Sequence, residues 1–483
     1  MLLGLKKELN KKLTENGANA LYSTGDARLD WFAECGSMRN LEEKEILRRF
    51  VKVLDIDKLD ALKLLFYTRD VLAVGERRTA RVVFRYLANS YPELLLKNLH
   101  LISEFGRWDD IIDICIDTKC EYHMIELIKE QLKKDLASTK GVSLLAKWLP
   151  SPNTSSKKTK DLAKKIYKKL GLTEREYRKI LSSLRSKIDV VECKMSSNRW
   201  SEIDYNRLTS KNNLLYTDAF KKHDKERYTD YMDRVNTGEA KINTGTLFPY
   251  EIIRKVNEYN CRNKEELNTI WNNLPNYIPK NKNILCVVDV SGSMYGGRSS
   301  ISPIYIALSL GLICARQMKG QFKNHFITFS KKPQLVEIPE GLNLYDTVRF
   351  MSQADWGMNT NLEKVFNLIL EVAIKNNIPS NEIPNIVVIS DMEIDSCNNN
   401  QEAIFGEYMR NKFISNGYEL PHITWWNVDA RNQTFLASKD SPNMTLVSGA
   451  SATLFDAVAK GKTPIDVLYD KVFNNVRYDC IEI

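Results

Sequence analysis

The sequence predicts a protein of the α plus α/β class, with a helical N-terminal half and a doubly wound α/β C-terminal half. Apolar residues recur at helical spacing through most of residues 1–281. From residue 284 onward, strand-like apolar runs alternate with helix-length segments, as in a parallel sheet covered by helices. A stretch rich in Pro and Asn, 274–283, separates the two patterns. We therefore expect domains at 1–281 and 282–483.

The helical half consists of short amphipathic segments. Residues 61–67 and 82–87 show the helical spacing of apolar side chains, and breaks at Gly75, Pro92 and Gly106 separate such segments. Successive short amphipathic helices are typical of antiparallel pairs stacked as an α-solenoid. The chain has no clean sequence repeat, so any structural repeats are expected to be degenerate.

The C-terminal half alternates strands and helices. Apolar runs with many β-branched residues predict the strands, and longer segments with helical periodicity predict the helices. The expected strands are 284–290, 322–330, 385–390, 422–426 and 445–447, and the expected helices are 304–318, 362–375, 402–415 and 465–473.

Composition indicates a soluble intracellular protein. Of 483 residues, 43% are hydrophobic and 27% are charged, which is normal for a globular chain. No run of 18 apolar residues predicts a membrane span, and the N-terminal apolar stretch is too short for a secretory signal. Nine scattered cysteines favour reduced packing residues. We expect a cytoplasmic location and no membrane partner.

Positive charge is concentrated in the helical half. Residues 1–281 hold 52 Lys and Arg against 40 Asp and Glu, whereas residues 282–483 hold 18 against 21. Residues 157–188 alone hold 12 basic and 3 acidic residues, which form either a solvated helix face or a stripe that binds a polyanion, with RNA as the expected one. The candidate RNA contacts are Lys157, Lys158, Lys164, Lys165, Lys168, Lys169, Arg175, Arg178 and Lys179. The second basic helix is expected over about 173–187, where Thr173 and Glu176 resemble a capping box.

Oxygen-bearing side chains follow two of the predicted strands. Asp289, Ser291 and Ser293 come after the first strand, and Asp391 directly follows strand 385–390. Ligand sites of open α/β sheets lie at the carboxyl ends of the strands. Carboxylate and hydroxyl oxygens suit a hard cation such as Mg²⁺, and residues 359–361 before the next helix could complete the coordination.

The order Asp289 to Ser293, then Thr360, then 390–392 resembles the metal-ion-dependent adhesion site of von Willebrand factor A domains. The resemblance covers 284–483 and implies a Rossmann-like fold. It also implies that the hydroxyls of Ser291, Ser293 and Thr360 bind Mg²⁺ directly, while Asp289 and Asp391 act through bound water.

The threonine is the weakest element of that motif, because Asn359 or Asn361 could replace Thr360. Sites of the family leave one coordination position open, and a carboxylate of a partner protein could fill it. The alternatives are a simple strand end with a serine turn, and an intact motif that has lost its metal.

The helical half resembles the family of domain of unknown function 2828, which in turn resembles the Ro ribonucleoprotein. That resemblance implies a TROVE-like module of HEAT-like helical repeats before a von Willebrand factor A domain, and binding of structured or misfolded RNA. The matching segments are 16–18, 67–70, 106–110, 147–150, 200–205 and 219–224.

Several conspicuous side chains of the helical half also have plain structural interpretations. Trp108 and Trp148 are expected to pack between helices rather than to stack on bases. Arg69 and Arg107 can pair with Asp70, with Asp109 or with other buried carboxylates rather than with phosphate.

Three functions follow from these features. The preferred one is a non-enzymatic RNA-binding scaffold with a Mg²⁺-dependent docking site in its C-terminal domain. The alternative is an adaptor that uses the metal to capture an acidic residue of a partner, without RNA. A metal-dependent hydrolase is disfavoured because no general base or nucleophile arrangement is evident. No readout of DNA sequence is expected.

Overall fold

The computed structural model describes residues 9–258, 261–280, 282–296, 301–328, 333–353, 361–396, 404–458 and 462–483. The chain forms two compact units. The sheet unit comprises residues 1–68, 72–79 and 244–480, and the helical unit comprises residues 69–71, 80–243 and 481–483. No helix in the described part of the chain is long and apolar enough to cross a membrane. A chain with one helical unit and one α/β unit agrees with the predicted class.

The sheet unit is built on a six-stranded mixed sheet with the order β5-β4-β3-β6-β7-β8. Five of the strands are parallel, and β5 pairs antiparallel with β4 at one edge. The strands are β3 (Ile284–Val288), β4 (His325–Thr328), β5 (Leu335–Glu337), β6 (Asn385–Ser390), β7 (Ile423–Asn427) and β8 (Met444–Ser448). The sequence predicted all of these strands except the short edge strand β5, which has too few apolar residues to stand out.

The helices of this unit agree closely with the sequence pattern. The helix at Leu362–Lys375 has its predicted bounds, the helix Pro303–Gln317 is shifted by one residue at each end, and the helix Phe405–Ser415 begins three residues later than predicted. The last predicted helix is Pro464–Leu468 followed by a π turn at Tyr469–Phe473. The other helices of five or more residues in the described part of this unit are the α-helices Ala27–Glu34, Glu43–Leu54, Lys58–Arg69, Pro249–Val256, Lys264–Asn272 and Leu344–Gln353, and the 3-10 helix Ala452–Ala457.

The central strands are covered on both faces, which explains their unbroken apolar sequence. Every residue of β3, β6, β7 and β8 is buried. The helix Pro303–Gln317 lies close against β3, because a Cβ added at Gly311 would lie 2.5 Å from a methyl group of Val288. Burial on this scale holds the carboxyl ends of β3 and β6 in one register.

The N-terminal segment packs with the sheet. A hairpin of β1 (Lys11–Leu13) and β2 (Asn19–Leu21) forms bridges from Gly17 to Asp395 and from Leu21 to Phe435. Gly36 lies against β8 so closely that a Cβ would meet the Ser448 carbonyl oxygen at 2.4 Å. Pairings between residues almost 400 positions apart leave no local signal, so the division expected at residue 281 placed this segment with the helices. The domain boundary between residues 281 and 282 stays a prediction.

The helical unit consists of helices that pack mainly on their sequence neighbours. Glu174–Ile188 begins as predicted, with a capping box in which Thr173 and Glu176 satisfy each other's backbone N–H groups. A solenoid of HEAT-like repeats stays a prediction. The helices of the unit of five or more residues are Arg77–Ser90, Pro92–Asn98, Trp108–Cys115, Glu121–Ala137, Lys157–Lys169, Glu174–Ile188, Val191–Ser196, Ser210–His223 and Lys225–Thr237.

A buried ion-pair network in the helical unit joins Arg69 and Arg81 to the helix Trp108–Cys115. The carboxylate of Asp110, which is fully buried, accepts from Arg69 Nε at 2.8 Å and Nη2 at 2.5 Å, and from Arg81 Nε at 2.6 Å. Arg107 pairs with Asp109, and Trp108 is buried. Arg69 and Arg107 therefore pair with carboxylates of the fold, which is one of the two interpretations drawn from the sequence.

Candidate functional site

The candidate metal site lies where the connections of the sheet reverse direction. Counted along the sheet unit's large sheet from β3, the strand order is 3-2-1-4-5-6, and the reversal falls between β3 and β6. Connections leave these two strands toward opposite sides, so a crevice opens at their carboxyl ends. Asp289 follows β3 and Asp391 follows β6, so the fold brings together two residues that are 102 positions apart.

Asp289 is fully buried and held by three polar contacts. Its Oδ1 accepts from the Ser291 N–H at 2.9 Å, its Oδ2 accepts from the Ser390 hydroxyl at 2.6 Å, and its own N–H donates to the Ile389 carbonyl at 3.0 Å. Burial, together with the negative charge of Asp391, raises the pKa of Asp289 to about 6. Two carboxylates in a buried crevice therefore repel each other, and a cation would relieve the repulsion.

The two serines lie together beside this carboxylate. Ser291 is buried, and its Oγ lies 3.0 Å from the Oγ of Ser293. Two hydroxyls near two carboxylates form a donor set of oxygen atoms alone, which fits Mg²⁺ and does not favour zinc or copper. No cluster of three or more His, Cys, Asp or Glu in the described part of the chain could hold a metal, so an ion here would depend on the hydroxyls.

Asp391 has a positive neighbour within the protein. Its Oδ2 accepts from Arg431 Nη2 at 2.5 Å, and its Oδ1 accepts from the Glu393 N–H at 3.1 Å. Arg431 also pairs with Glu15 of the hairpin at 3.3 Å. Burial would lower the pKa of Arg431, but the surrounding carboxylates, first of all Asp391, raise it, so the guanidinium stays charged beside the site.

Sequence reasoning missed the rim of the crevice. Glu393 accepts from the Glu15 N–H at 2.6 Å, and Asp429, which follows β7, accepts from Asn40 Nδ2 at 2.9 Å. Burial raises the pKa of both acids. Asp429 could have been found, because it follows a parallel strand just as Asp289 and Asp391 do. Glu15, Asn40 and Arg431 have no such signal.

The third part of the predicted metal motif, Thr360, lies outside the described residues, as does Asn359. Asn361 is described, and its side chain accepts from the Lys364 N–H at 3.1 Å as the N-cap of the helix Leu362–Lys375. That role engages the Asn361 Oδ1. Coordination of Mg²⁺ by Thr360 stays a prediction, because Thr360 is not among the described residues.

The basic residues predicted to contact RNA lie on two successive helices of the helical unit, Lys157–Lys169 and Glu174–Ile188. Lys165 pairs with Asp117, and Lys169 pairs with Glu121 at 3.2 Å, so their charges are compensated within the fold. Of the other predicted contacts, Arg178 alone has an ion pair within the described chain, with Glu174 at 3.5 Å. The exposed members of the set are Lys157, Lys158, Lys164, Lys168, Lys169, Arg175, Arg178 and Lys179.

Two families of unknown function match separate parts of the chain. Residues 122–277 match the family described as Domain of unknown function (DUF2828), and residues 283–467 match the one described as Domain of unknown function (DUF7788). The first match confirms the resemblance to that family inferred from the sequence, and it contains both helices of the basic segment. The second contains Asp289, Ser291, Ser293 and Asp391.

Similar proteins extend along almost the whole chain. An uncharacterized protein of Acanthamoeba polyphaga mimivirus is 29% identical over 494 residues, which cover 93% of this chain and 84% of that protein. Among solved structures, the Deinococcus radiodurans RO (RSR) protein matches with a TM-score of 0.43 and 13% identity, over 90% of this chain and 99% of that one. The chain is therefore similar to a viral protein of undescribed function and, distantly, to a solved Ro protein.

Proposed function

We propose that the protein is a non-enzymatic RNA-binding scaffold and that its helical unit contacts structured or misfolded RNA through the basic helices Lys157–Lys169 and Glu174–Ile188. The observation that supports this most is a set of exposed lysines without a carboxylate partner in the described chain: Lys157, Lys158, Lys164 and Lys168. Asp161 is the one acidic residue on this helix, so the exposed face keeps an excess of positive charge that favours a polyanion. Counterion release from RNA makes such a face a favourable phosphate contact.

The charge-reversal variant Lys164→Glu/Lys168→Glu is expected to lower affinity for a structured RNA about tenfold or more and to flatten its salt dependence, because two phosphate contacts become repulsive. Binding is measured by filter retention from 50 to 300 mM salt. Lys133→Glu/Lys134→Glu, on the exposed face of helix Glu121–Ala137, changes the net charge equally and is the control. Equal affinity of both variants and the parent protein would exclude this face.

The second part of the proposal is a Mg²⁺-dependent docking site at the β3–β6 edge. Ser291 and Ser293 would hold the ion, Asp289 and Asp391 would balance its charge, and Thr360 is the expected third hydroxyl. A bound Mg²⁺ there would supply a Lewis-acidic coordination position to which a partner's carboxylate can bind. The paired serine hydroxyls and the buried Asp289 also support the second candidate function, an adaptor without RNA, whose complex would dissociate in EDTA.

Arg431→Gln is expected to raise Mg²⁺ affinity severalfold, because it removes a positive charge that lies 2.5 Å from an oxygen of Asp391. The affinity is read from the rise of the melting temperature during a Mg²⁺ titration. Arg28→Gln removes a guanidinium of the same unit that pairs with Asp26 and Asp60, and is the control. Weaker Mg²⁺ binding in Arg431→Gln would mean that the guanidinium orients Asp391 for the ion instead of competing with it.

A further inference from the structure

A cavity of about 840 Å³ lies beside the second basic helix, Glu174–Ile188. Its walls come from that helix, from the loop at 151–153 before the first basic helix, and from residues 189–202 after the second. Its volume falls within the range of about 300–1,000 Å³ that is usual for ligand sites. All of these residues belong to the helical unit.

One face of the helix lines the cavity with positive charge. Arg175, Arg178, Lys179 and Arg185 line it, together with Ser182. Their spacings of three, four and seven residues place them on one face of an α-helix. From the first arginine to the last, this row extends about 15 Å along the helix axis.

Arg185 lies at the inner end of the row and is bonded to uncharged groups. Its Nε donates to the Ala146 carbonyl at 2.8 Å, its Nη1 to the Ser151 hydroxyl at 2.7 Å, and its Nη2 to the Leu149 carbonyl at 2.8 Å. Within the described chain no carboxylate pairs with it. Burial lowers the pKa of Arg185, but a guanidinium stays charged at neutral pH. The fold therefore holds a partly buried positive charge that hydrogen bonds orient and no carboxylate neutralises.

The acidic residues of the cavity are already engaged. Asp189 pairs with Lys194 at 2.6 Å, and Glu202 pairs with Arg199 at 3.0 Å. On the helix face, Arg178 has a partner in Glu174, whereas Arg175 and Lys179 have no ion pair in the described chain. The cavity therefore retains a positive excess that its own carboxylates do not cancel.

We propose that this cavity binds consecutive phosphate groups of one single-stranded RNA segment. The inference rests on the proposed RNA binding and names where a single strand enters. A row of cations along one helix matches a chain of regularly spaced anions, and the planar guanidinium groups can bind phosphate through two hydrogen bonds. A cavity of this volume is too small to enclose a duplex, so only a single strand can enter it.

The cavity is expected to recognise the backbone rather than the bases. No aromatic side chain is among the described residues that line it, so it has no surface on which bases could stack. Phosphate contacts by themselves carry no sequence information. Binding at this place should therefore be independent of base sequence and strongly dependent on salt.

The test compares the full-length protein with Arg175→Gln/Lys179→Gln, in which two exposed cations lose their charge without introducing repulsion. The probe is a fluorescent single-stranded decamer of uridine. We expect the dissociation constant to rise about tenfold at 100 mM salt. The slope of log affinity against log salt concentration should become smaller by about 1.4, because each single-strand phosphate contact contributes about 0.7. A cytidine decamer should show the same loss, and a 20-base-pair RNA duplex a smaller one.

Lys133→Gln/Lys134→Gln is the matched control and is expected to keep the parent slope. If the parent protein binds neither the decamer nor structured RNA, the proposed function fails. If Lys164→Glu/Lys168→Glu weakens RNA binding while Arg175→Gln/Lys179→Gln does not, RNA binding stands and the cavity proposal fails. Displacement of the decamer by deca-glutamate more readily than by unlabelled decamer would assign the cavity to an acidic polypeptide and overturn the proposal.

Discussion

Asp110→Ala is expected to lower the free energy of unfolding of the helical unit by about 3–5 kcal/mol, because it leaves the buried Arg69 guanidinium without its counter-charge and removes one of the three carboxylates that pair with Arg81. Asp110 accepts from Arg69 and Arg81, and also from the Arg107 N–H at 2.9 Å. A Cβ added at Gly106 would lie 2.6 Å from the Asp110 carboxylate, so the chain around this network has no room to rearrange. The loss is measured by guanidinium chloride denaturation followed by circular dichroism.

The control for this variant is Asp113→Ala on the same helix. Asp113 pairs with Arg81 at 3.4 Å, but its side chain is 56% exposed, so water screens the pair and the expected loss is below about 1 kcal/mol. Similar losses for both variants would show that the Asp110 network contributes no more than a surface pair.

The same network predicts a dependence on pH. Burial tends to raise the pKa of Asp110, but Arg69 and Arg81 outweigh burial and hold that pKa below its ordinary value of 3.8. Because the folded-state pKa is lowered, the stabilisation is present above about pH 4 and is lost as the pH falls through the folded-state pKa. The advantage of the parent protein over Asp110→Ala should therefore shrink on acidification below pH 4.

Asp289→Asn is expected to abolish stabilisation of the sheet unit by Mg²⁺. A ligand at one hundred times its dissociation constant stabilises the folded state by about 2.7 kcal/mol, so for a unit of this size saturating Mg²⁺ should raise the melting temperature by about 4 °C. The variant should melt at the same temperature with Mg²⁺ and with EDTA. In EDTA it should be at least as stable as the parent, because it removes a buried charge that Asp391 repels.

The hydroxyls of the site have a matched control in the same unit. Ser291→Ala/Ser293→Ala removes two hydroxyls 3.0 Å apart at the proposed site, and Ser438→Ala/Ser441→Ala removes two that lie 3.1 Å apart elsewhere. The first double variant is expected to lose the Mg²⁺ effect and the second to keep it. An unchanged Mg²⁺ effect in the first variant and in Asp289→Asn would contradict the site, and Mg²⁺-dependent turnover of RNA that Asp289→Asn abolishes would contradict a non-enzymatic role.

The sequence by itself determined the elements whose pattern repeats locally. Strands β3, β6, β7 and β8 were predicted within one or two residues, because their burial on both faces requires unbroken apolar runs. The capping box at Thr173 was predicted from two residues three positions apart. Asp289 and Asp391 were found as candidates because strand ends in parallel sheets share one edge.

Tertiary structure decided what depends on partners far apart in the sequence. It placed the N-terminal hairpin on the loop after β6 and brought Glu15 and Arg431 to Asp391, across roughly 375 and 40 residues. It also showed that Asp117 and Glu121 compensate Lys165 and Lys169, whereas Arg175 and Lys179 line a cavity without an ion pair in the described chain. A count of charges along the sequence cannot separate these groups, because charge compensation depends on distances that only the folded chain defines.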